Sequence, residues 1–328
     1  MRAPDFWARR DSVAVRALTP LAAFWTWGAR RRQRRGRPRS CGVPVLCVGN
    51  LVLGGSGKTP VVLALAERLR NSGIEVHILS HGYRGRLKGP VRVDPHQHTV
   101  SDVGDEALVA ARTAPTWVAR DRAAGGAAIA AAGADCLVLD DGFQDPSLAK
   151  DLALLVFDGG LGVGNGRTLP AGPLRESPDD GFRRAHAAVV VGEDTVNVSA
   201  ALPATLPCIR ASMRPAPGLD ALRRRRVFAF AGIGRPEKFF RSLRELGADV
   251  VGTRPFPDHH RYRTRDLERV LAAARESAAV PVTTTKDEVR LPAEFAARVM
   301  VAEVRLRFDD SGALDELLAR VVGTREPG

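Results

Sequence analysis

The strongest constraint on this fold is one short passage in which a buried-type strand runs into a glycine loop and then a helix. VPVLCVGN (43–50) is a continuous apolar run, the pattern of a strand covered on both faces. Gly54-Gly55-Ser56-Gly57-Lys58-Thr59-Pro60 follows, and then an apolar-periodic stretch that closes at Gly73. The glycines let the backbone turn its N–H groups inward, and the start of a helix adds positive potential there. Lys58 can reach terminal phosphates, and the Thr59 hydroxyl suits Mg²⁺. The strict spacing of this motif asks for glycine at position 52, where Val52 stands. Gly54 and Gly55 are expected to supply the bend instead.

A nucleotide site of this type needs an acid at the end of a second buried strand. ADCLVLDDGFQ (134–144) ends its apolar run in Asp140-Asp141. One of these carboxylates would hold Mg²⁺ directly or through water. A plain polar turn is the competing reading of the pair. IEVHILS (74–80), TWVA (116–119) and LALLVFD (152–158) repeat the rhythm, with helical segments between several of them. That alternation predicts a parallel sheet with both faces covered, its ligands beyond the carboxyl ends of the strands. Lys58, Asp140, Asp141 and the loop after Ser80 should then meet at one edge.

The pattern also narrows the reaction. A GTPase wants N-K-x-D, and Thr285-Lys286-Asp287-Glu288 lacks the final aspartate. A partitioning ATPase has a lysine where Leu53 stands. Kinase chemistry is left, and it needs an acceptor hydroxyl and a group to take its proton. Cys41, Cys47, Cys136 and Cys208 lie far apart without a C-x-x-C pair, which argues against a disulfide scaffold or structural zinc and fits a reducing compartment. No run approaches the roughly 18 apolar residues of a membrane span.

Charge is concentrated at one end. Of the net +12, residues 1–40 carry eleven arginines against Asp5 and Asp11, or +9, which leaves +3 for the rest. Ala14, Ala17, Leu18, Leu21, Phe24 and Trp25 keep helical spacing, and Trp7, Trp25 and Trp27 sit beside Arg30, Arg31, Arg32, Arg34 and Arg35. Indole rings next to a polybasic segment suit an anionic membrane surface. Packing on the body, a signal peptide and nucleic-acid binding are the competing readings. Acids in the charged region and the lack of an A-x-A-like site weaken the signal peptide. No basic-aromatic pattern continues into the body to support nucleic acid. The chain uses only five lysines (Lys58, Lys88, Lys150, Lys238, Lys286), so each lysine marks a position where arginine was not the default.

A set of motifs then carries a resemblance. Val48-Gly49-Asn50, GGSGKTP from Gly54, Ser80-His81-Gly82-Tyr83, Gly104-Asp105-Glu106, DDGFQ from Asp140 and GNGRTLPAGPLR (164–175) occur in order. Ala231-Gly232-Ile233-Gly234, Pro257-Asp258-His259 and Thr285-Lys286-Asp287 continue it. Together they resemble the tetraacyldisaccharide 4′-kinase family of the lipid A pathway. The resemblance implies transfer of the ATP γ-phosphate to the 4′-hydroxyl of tetraacyldisaccharide 1-phosphate, giving lipid IVA, at the cytoplasmic face of the bacterial inner membrane, by a peripheral enzyme. It implies that Gly54 to Thr59 bind ATP, that Thr59 and Asp140 hold Mg²⁺ with Asp141 alongside, that Asp105 takes the acceptor proton, and that His259 orients or activates Asp105. Without the resemblance, Asp105 reads as a helix N-cap, and His260 competes with His259.

The expected fold is therefore α/β, with a P-loop NTPase-like parallel core at 41–178, a second, smaller α/β domain at 179–328, and a basic, aromatic membrane-associated helix within 1–40. HAAVVVG, VFAFAG, VPVTTT and VMVAEV are read as strands of the second unit, and PEKFFRSLREL and TRDLERVLAAARES as its helices. The alternative function is a P-loop NTPase switch that docks a membrane or protein partner through the arm. Two departures from the family pattern, His81 for arginine and Asp145-Pro146-Ser147 for a basic run, predict weaker contact with an anionic acceptor.

Overall fold

A computed structural model describes residues 4–9 and 12–323. Asp11, one of the two acids of the arm, lies outside the described residues, as do the first three and last five positions of the expected outer domains. The strands are β1 (Val45–Gly49), β2 (Val76–Ser80), β3 (Val91–Arg92), β4 (Thr116–Val118), β5 (Cys136–Asp140), β6 (Leu152–Asp158) and β7 (Ala187–Val191). They continue as β8 (Cys208–Pro215), β9 (Arg226–Ala231), β10 (Asp249–Pro255), β11 (Val280–Thr284), β12 (Met300–Ala302) and β13 (Val304–Phe308). Nine form one sheet in the order β13-β8-β7-β6-β1-β5-β2-β4-β3, and four form another in the order β10-β9-β11-β12.

The large sheet is parallel except at its two rims, where β13 pairs with β8 and β3 pairs with β4 antiparallel. β1, β2, β5, β6 and β7 are buried along their whole length, which explains their unbroken apolar runs. Alternate side chains serve opposite faces. Leu46 and Val48 pack with Val61, Leu65 and Leu69 of helix α2 (Lys58–Asn71). Val45 and Cys47 pack on the other face with Ile129, Phe143 and Leu148.

The expected division at residue 178 is corrected by the strand pairing. β7, read from HAAVVVG as part of the second unit, pairs with β6 in the large sheet, and β8 adds to it in turn. The small sheet comprises only strands between Arg226 and Ala302. VMVAEV is two strands rather than one. Its first half is β12 of the small sheet, and Val304 opens β13, which returns to the large sheet. The helix Gly312–Val322 then buries Leu314 and Leu318 against the first face. The small unit is thus inserted into the large one. Local hydrophobicity does not encode this, because a buried parallel strand reads alike in either sheet.

Helix α1 (Val13–Arg35) forms as expected, with Ser12 as its N-cap. Its body-facing line runs through Val15, Ala22, Thr26 and Gln33, with Thr26 Oγ1 2.9 Å from Thr168 Oγ1 and Gln33 donating to the Gln144 carbonyl at 3.0 Å. Leu21, Phe24, Trp25 and Trp27 stay exposed. Of the apolar stripe picked out by spacing, Ala14 and Leu18 are half-buried while Ala17, Leu21, Phe24 and Trp25 are exposed, so the helix both packs on the body and keeps a greasy face toward the outside. No described helix is long and apolar enough to cross a membrane.

Asp287 knits the small unit together. Fully buried, it accepts from the Gly232 N–H at 2.9 Å, the Tyr262 hydroxyl at 2.6 Å and the Thr284 hydroxyl at 2.6 Å, and faces Arg290 at 3.3 Å. Asp287→Ala strands these donors and a buried cation, so we expect a loss of about 3–5 kcal/mol in urea unfolding. The same change at exposed Asp220 should cost less than about 0.5 kcal/mol. Equal effects at the two positions would refute this account.

Candidate active site

The order β6-β1-β5 puts the loop after β1 between the ends of two neighbours with parallel crossovers, where doubly wound sheets take their ligands. The glycine loop leaves β1 there and enters α2 at Lys58. Gly54 and Gly57 hold positive φ (113° and 86°), a conformation that a Cβ would strain. Gly57 is the N-cap, so the first N–H groups of α2 open into the loop.

Val52, the departure from strict spacing, is held by a strap. It bridges to Leu174, the Leu53 N–H donates to the Pro173 carbonyl at 2.8 Å, and the Arg175 N–H donates to the Leu51 carbonyl at 2.7 Å. Asn50 adds a staple from inside, its Nδ2 donating to the Val52 carbonyl at 2.6 Å and to Ser56 Oγ at 2.8 Å. The Asn50 Oδ1 atom is buried without a partner among the described residues.

Lys58 Nζ lies 3.6 Å from Asp141 Oδ1. Burial lowers the Lys58 pKa, with Arg175 adding to the shift and Asp141 opposing it. Asp141 is gripped by Arg175 through two bonds, at 2.8 and 3.1 Å. Burial pushes the Asp141 carboxyl up, but Lys58 and Arg175 outweigh it and hold the acid below its usual range. Asp140 behaves oppositely. Burial first, then the neighbouring Glu106 and Asp141 charges, push it up to about 7. Two adjacent acids thus differ because only one is gripped by a cation.

The cleft between the sheets has a volume of about 2130 Å³ and is lined by the glycine loop on one side and by Ile233, Arg235 and Lys286 on the other. Polar contacts line it and cross it. The Thr59 hydroxyl lies 3.5 Å from Glu106 Oε1, and Lys286 Nζ donates to that same oxygen at 2.7 Å. Burial opposes the charge on Lys286, but Glu106, Asp105 and Asp140 raise its pKa. One residue earlier, Asp105 Oδ2 is 2.8 Å from His259 Nδ1 and 3.5 Å from Arg290 Nε. Burial would raise the Asp105 carboxyl, but His259, Arg290 and Lys286 together depress it.

Sequence spacing left two choices open here, and the coordinates separate them. Gly104 is the N-cap of the short helix Asp105–Ala110, and Asp105 is its first residue, with one oxygen on the Glu106 N–H and the other on His259. His259 rather than His260 meets Asp105. His260 stacks on Phe256 at 4.7 Å and contacts Asp266 at 3.2 Å inside the small unit. Lys58, Thr59, Asp105, Asp140, Asp141 and His259 therefore share one edge, with Tyr83 of the loop after Ser80 5.6 Å from the His259 ring.

Sequence reasoning passed over Asn50, Glu106, Arg175 and Lys286 as site residues. Glu106 and Arg175 stood inside quoted motifs, and Lys286 was one of the five rare lysines. The two departures are near each other. His81 keeps much of its surface in solvent, but the desolvation of the rest, together with Arg122 and Arg120, lowers its pKa, while Asp145 opposes that shift. Asp145 accepts from the Ser147 N–H at 2.8 Å, so it also shapes its own turn.

The raised Asp140 pKa has a fixed sign. Between about pH 4 and pH 7 the folded protein retains a proton that an unfolded aspartate has released, so stability falls as pH rises through this window. Urea midpoints of the wild type minus those of Asp140→Asn should fall from pH 4.5 to pH 7.5. A flat difference would show that Asp140 titrates normally.

Similarity to known proteins agrees with this geometry. Residues 14–323 match the family model described as tetraacyldisaccharide-1-P 4′-kinase. A tetraacyldisaccharide 4′-kinase of Rhodospirillum centenum is 52% identical, the match covering 99% of this chain and 98% of that one. The enzyme of that name from Rhodospirillum rubrum is 49% identical over the full length of both. A crystal structure of LpxK from Aquifex aeolicus in complex with ATP superposes with a TM-score of 0.78 at 28% identity, covering 94% of this chain and 99% of that one. With a family model matched over residues 14–323 and relatives about half identical along nearly the whole chain, the protein belongs to the tetraacyldisaccharide-1-P 4′-kinase family.

Proposed function

We propose that this chain transfers the γ-phosphate of ATP to the 4′-hydroxyl of a tetraacylated glucosamine disaccharide 1-phosphate. The observation that carries this reading is the 2.8 Å contact between Asp105 and His259, formed across a cleft whose other wall is the glycine loop. In it Asp105 accepts the hydroxyl proton as the oxygen attacks the γ-phosphorus in line. The bond from that phosphorus to the β-bridging oxygen breaks, and ADP leaves. Asp105 is ionised at neutral pH, as a proton acceptor must be. His259 fixes its orientation and Arg290 steadies its charge. Lys58 and the N–H groups from Gly54 to Thr59 neutralise the phosphates. Closing the small unit over the cleft would exclude water that could otherwise hydrolyse ATP.

The donor set fits Mg²⁺. Thr59, Asp140 and Glu106 offer oxygen ligands, and Asp140, raised first by burial and then by the Glu106 and Asp141 charges, is an acid whose ionised form a divalent cation would favour. When bound, such an ion would supply positive charge to offset that of the phosphates. Thr59 and Asp140 are its proposed holders.

The exposed aromatic face of α1 supports docking on an anionic membrane, which is where the acylated acceptor would lie. Phe24 and Trp27 pack at 5.6 Å, and Arg31 caps Trp27 at 5.4 Å. Among the described residues, Arg32, Arg34, Arg35, Arg37 and Arg39 make no ion pair. We read the protein as peripheral at the cytoplasmic face of the inner membrane.

Four measurements test this. With labelled ATP, the label should enter a chloroform-soluble product, and Lys58→Ala should lower kcat by about 10²-fold or more; label released only as free phosphate would favour an NTPase switch. Asp105→Asn should lower kcat by roughly 10²-fold with little change in KM for ATP. Exchanging Phe24, Trp25 and Trp27 for serine should weaken sedimentation with anionic vesicles, and unchanged pelleting would discard the docking face. Reversing both departures, with His81→Arg and Asp145→His, should lower KM for the acceptor.

A further inference from the structure

Asp158 ends β6, on the carboxyl edge of the large sheet and largely buried. Its Oδ1 accepts the Gly160 N–H at 2.9 Å. Its Oδ2 receives two cations from the small unit, Arg235 at 2.9 Å and Lys238 at 3.0 Å. One carboxylate therefore faces two positive charges. The cations remain about half exposed, at 44% and 51%. Among the described residues each side chain makes one hydrogen bond, although a guanidinium carries five N–H donors and an ammonium three. The cluster presents surplus positive charge and unused donors to the cleft.

Its position gives that surplus a use. Asp158 is the register partner of Val191 on the neighbouring strand. A Cβ placed on Gly57 would sit 3.6 Å from the Val191 side chain. Adjacent strands lie about 4.8 Å apart, so the glycine loop and Asp158 are separated by roughly one side chain. Arg235, Lys238, Asp158 and Gly54 to Gly57 line the same cleft. Lys238 is also one of the five lysines of an arginine-favouring chain, and its compact ammonium acts as a point charge rather than a fork.

We propose that Arg235 and Lys238 are phosphate-binding residues that rest on Asp158 and reach across the cleft to the β- and γ-phosphates of a nucleotide held on the glycine loop. This rests on the nucleotide-binding reading above. It makes the small unit a sensor of phosphate number. AMP leaves the two cations on Asp158, whereas ATP offers them a second, more highly charged partner and draws the units together.

Calorimetric titration of the full-length protein with the non-hydrolysable imido analogue of ATP, ADP and AMP tests it. Arg235→Gln and Lys238→Gln should each weaken imido-ATP binding by about ten-fold, the scale of one charged hydrogen bond, and leave AMP binding unchanged. Lys238→Arg should retain most of the affinity. Asp158→Asn releases both cations, so imido-ATP affinity should hold or rise. If Asp158→Asn weakens imido-ATP binding as the glutamine variants do, the trio is only a structural latch and the proposal falls. It also falls if the double glutamine variant binds imido-ATP like the wild type, or if AMP and imido-ATP weaken equally. A wild-type protein that binds no imido-ATP at all would instead overturn the nucleotide reading itself.

Discussion

Lys58, Asp105, Glu106, Asp140 and Asp141 crowd the carboxyl edge of the large sheet, where burial and neighbouring charges together shift Lys58, Asp105, Asp140 and Asp141 from their ordinary ranges. Lys58 and Arg175 hold Asp141 ionised, while His259 and Arg290 do the same for Asp105. Lys286 answers Glu106. Among the described residues the Asp140 carboxylate has no cation at contact distance, and it is the acid pushed up to about 7. This imbalance gives the edge its polarity: one corner is paired and fixed, while at the other Lys58 and Arg122 act on the Asp140 carboxylate without an ion pair among the described residues. The partners of Asp105 and Glu106 come from the small unit, so the charge balance of the large sheet is completed only when that unit sits over it.

The loop from Gly164 to Arg175 ties the distant parts of the molecule to that edge. Its Pro173 and Arg175 backbone groups fix the approach to the glycine loop, and the Arg175 side chain grips Asp141. The same loop receives α1. Trp25 donates to the Arg175 carbonyl at 2.8 Å, and Thr168 Oγ1 lies 3.2 Å from the Ala22 carbonyl. A helix with a free aromatic face is thus bonded to the segment that holds the phosphate loop and the acid pair. A surface that takes up α1 would approach the reaction edge in a set orientation.

Much of this was legible in the residues, and the reason differs from part to part. Buried parallel strands show as unbroken apolar runs because both faces are covered, so β1, β2, β5 and β6 could be read directly. The glycine loop was visible because positive φ restricts the choice of residue at Gly54 and Gly57. β7 was equally visible as a strand, but nothing local said which sheet it joins. The outward stripe of α1 was read correctly as apolar, but which side of the helix meets the body depended on Thr168 and Gln144, more than a hundred residues away.

Sequence alone determined the local devices: the strand, glycine loop and helix, the acids that end a buried strand, and the concentration of basic and aromatic groups at one end. These depend on backbone conformation and periodicity, which neighbouring residues fix. Tertiary structure alone decided which charges meet. It paired His259 rather than His260 with Asp105 across 154 positions, brought Lys286 to Glu106, set two cations on Asp158, and inserted the small sheet between β8 and β13. A carboxylate takes whichever cation the packing of the two sheets delivers, and that distance is set by the fold rather than by sequence spacing.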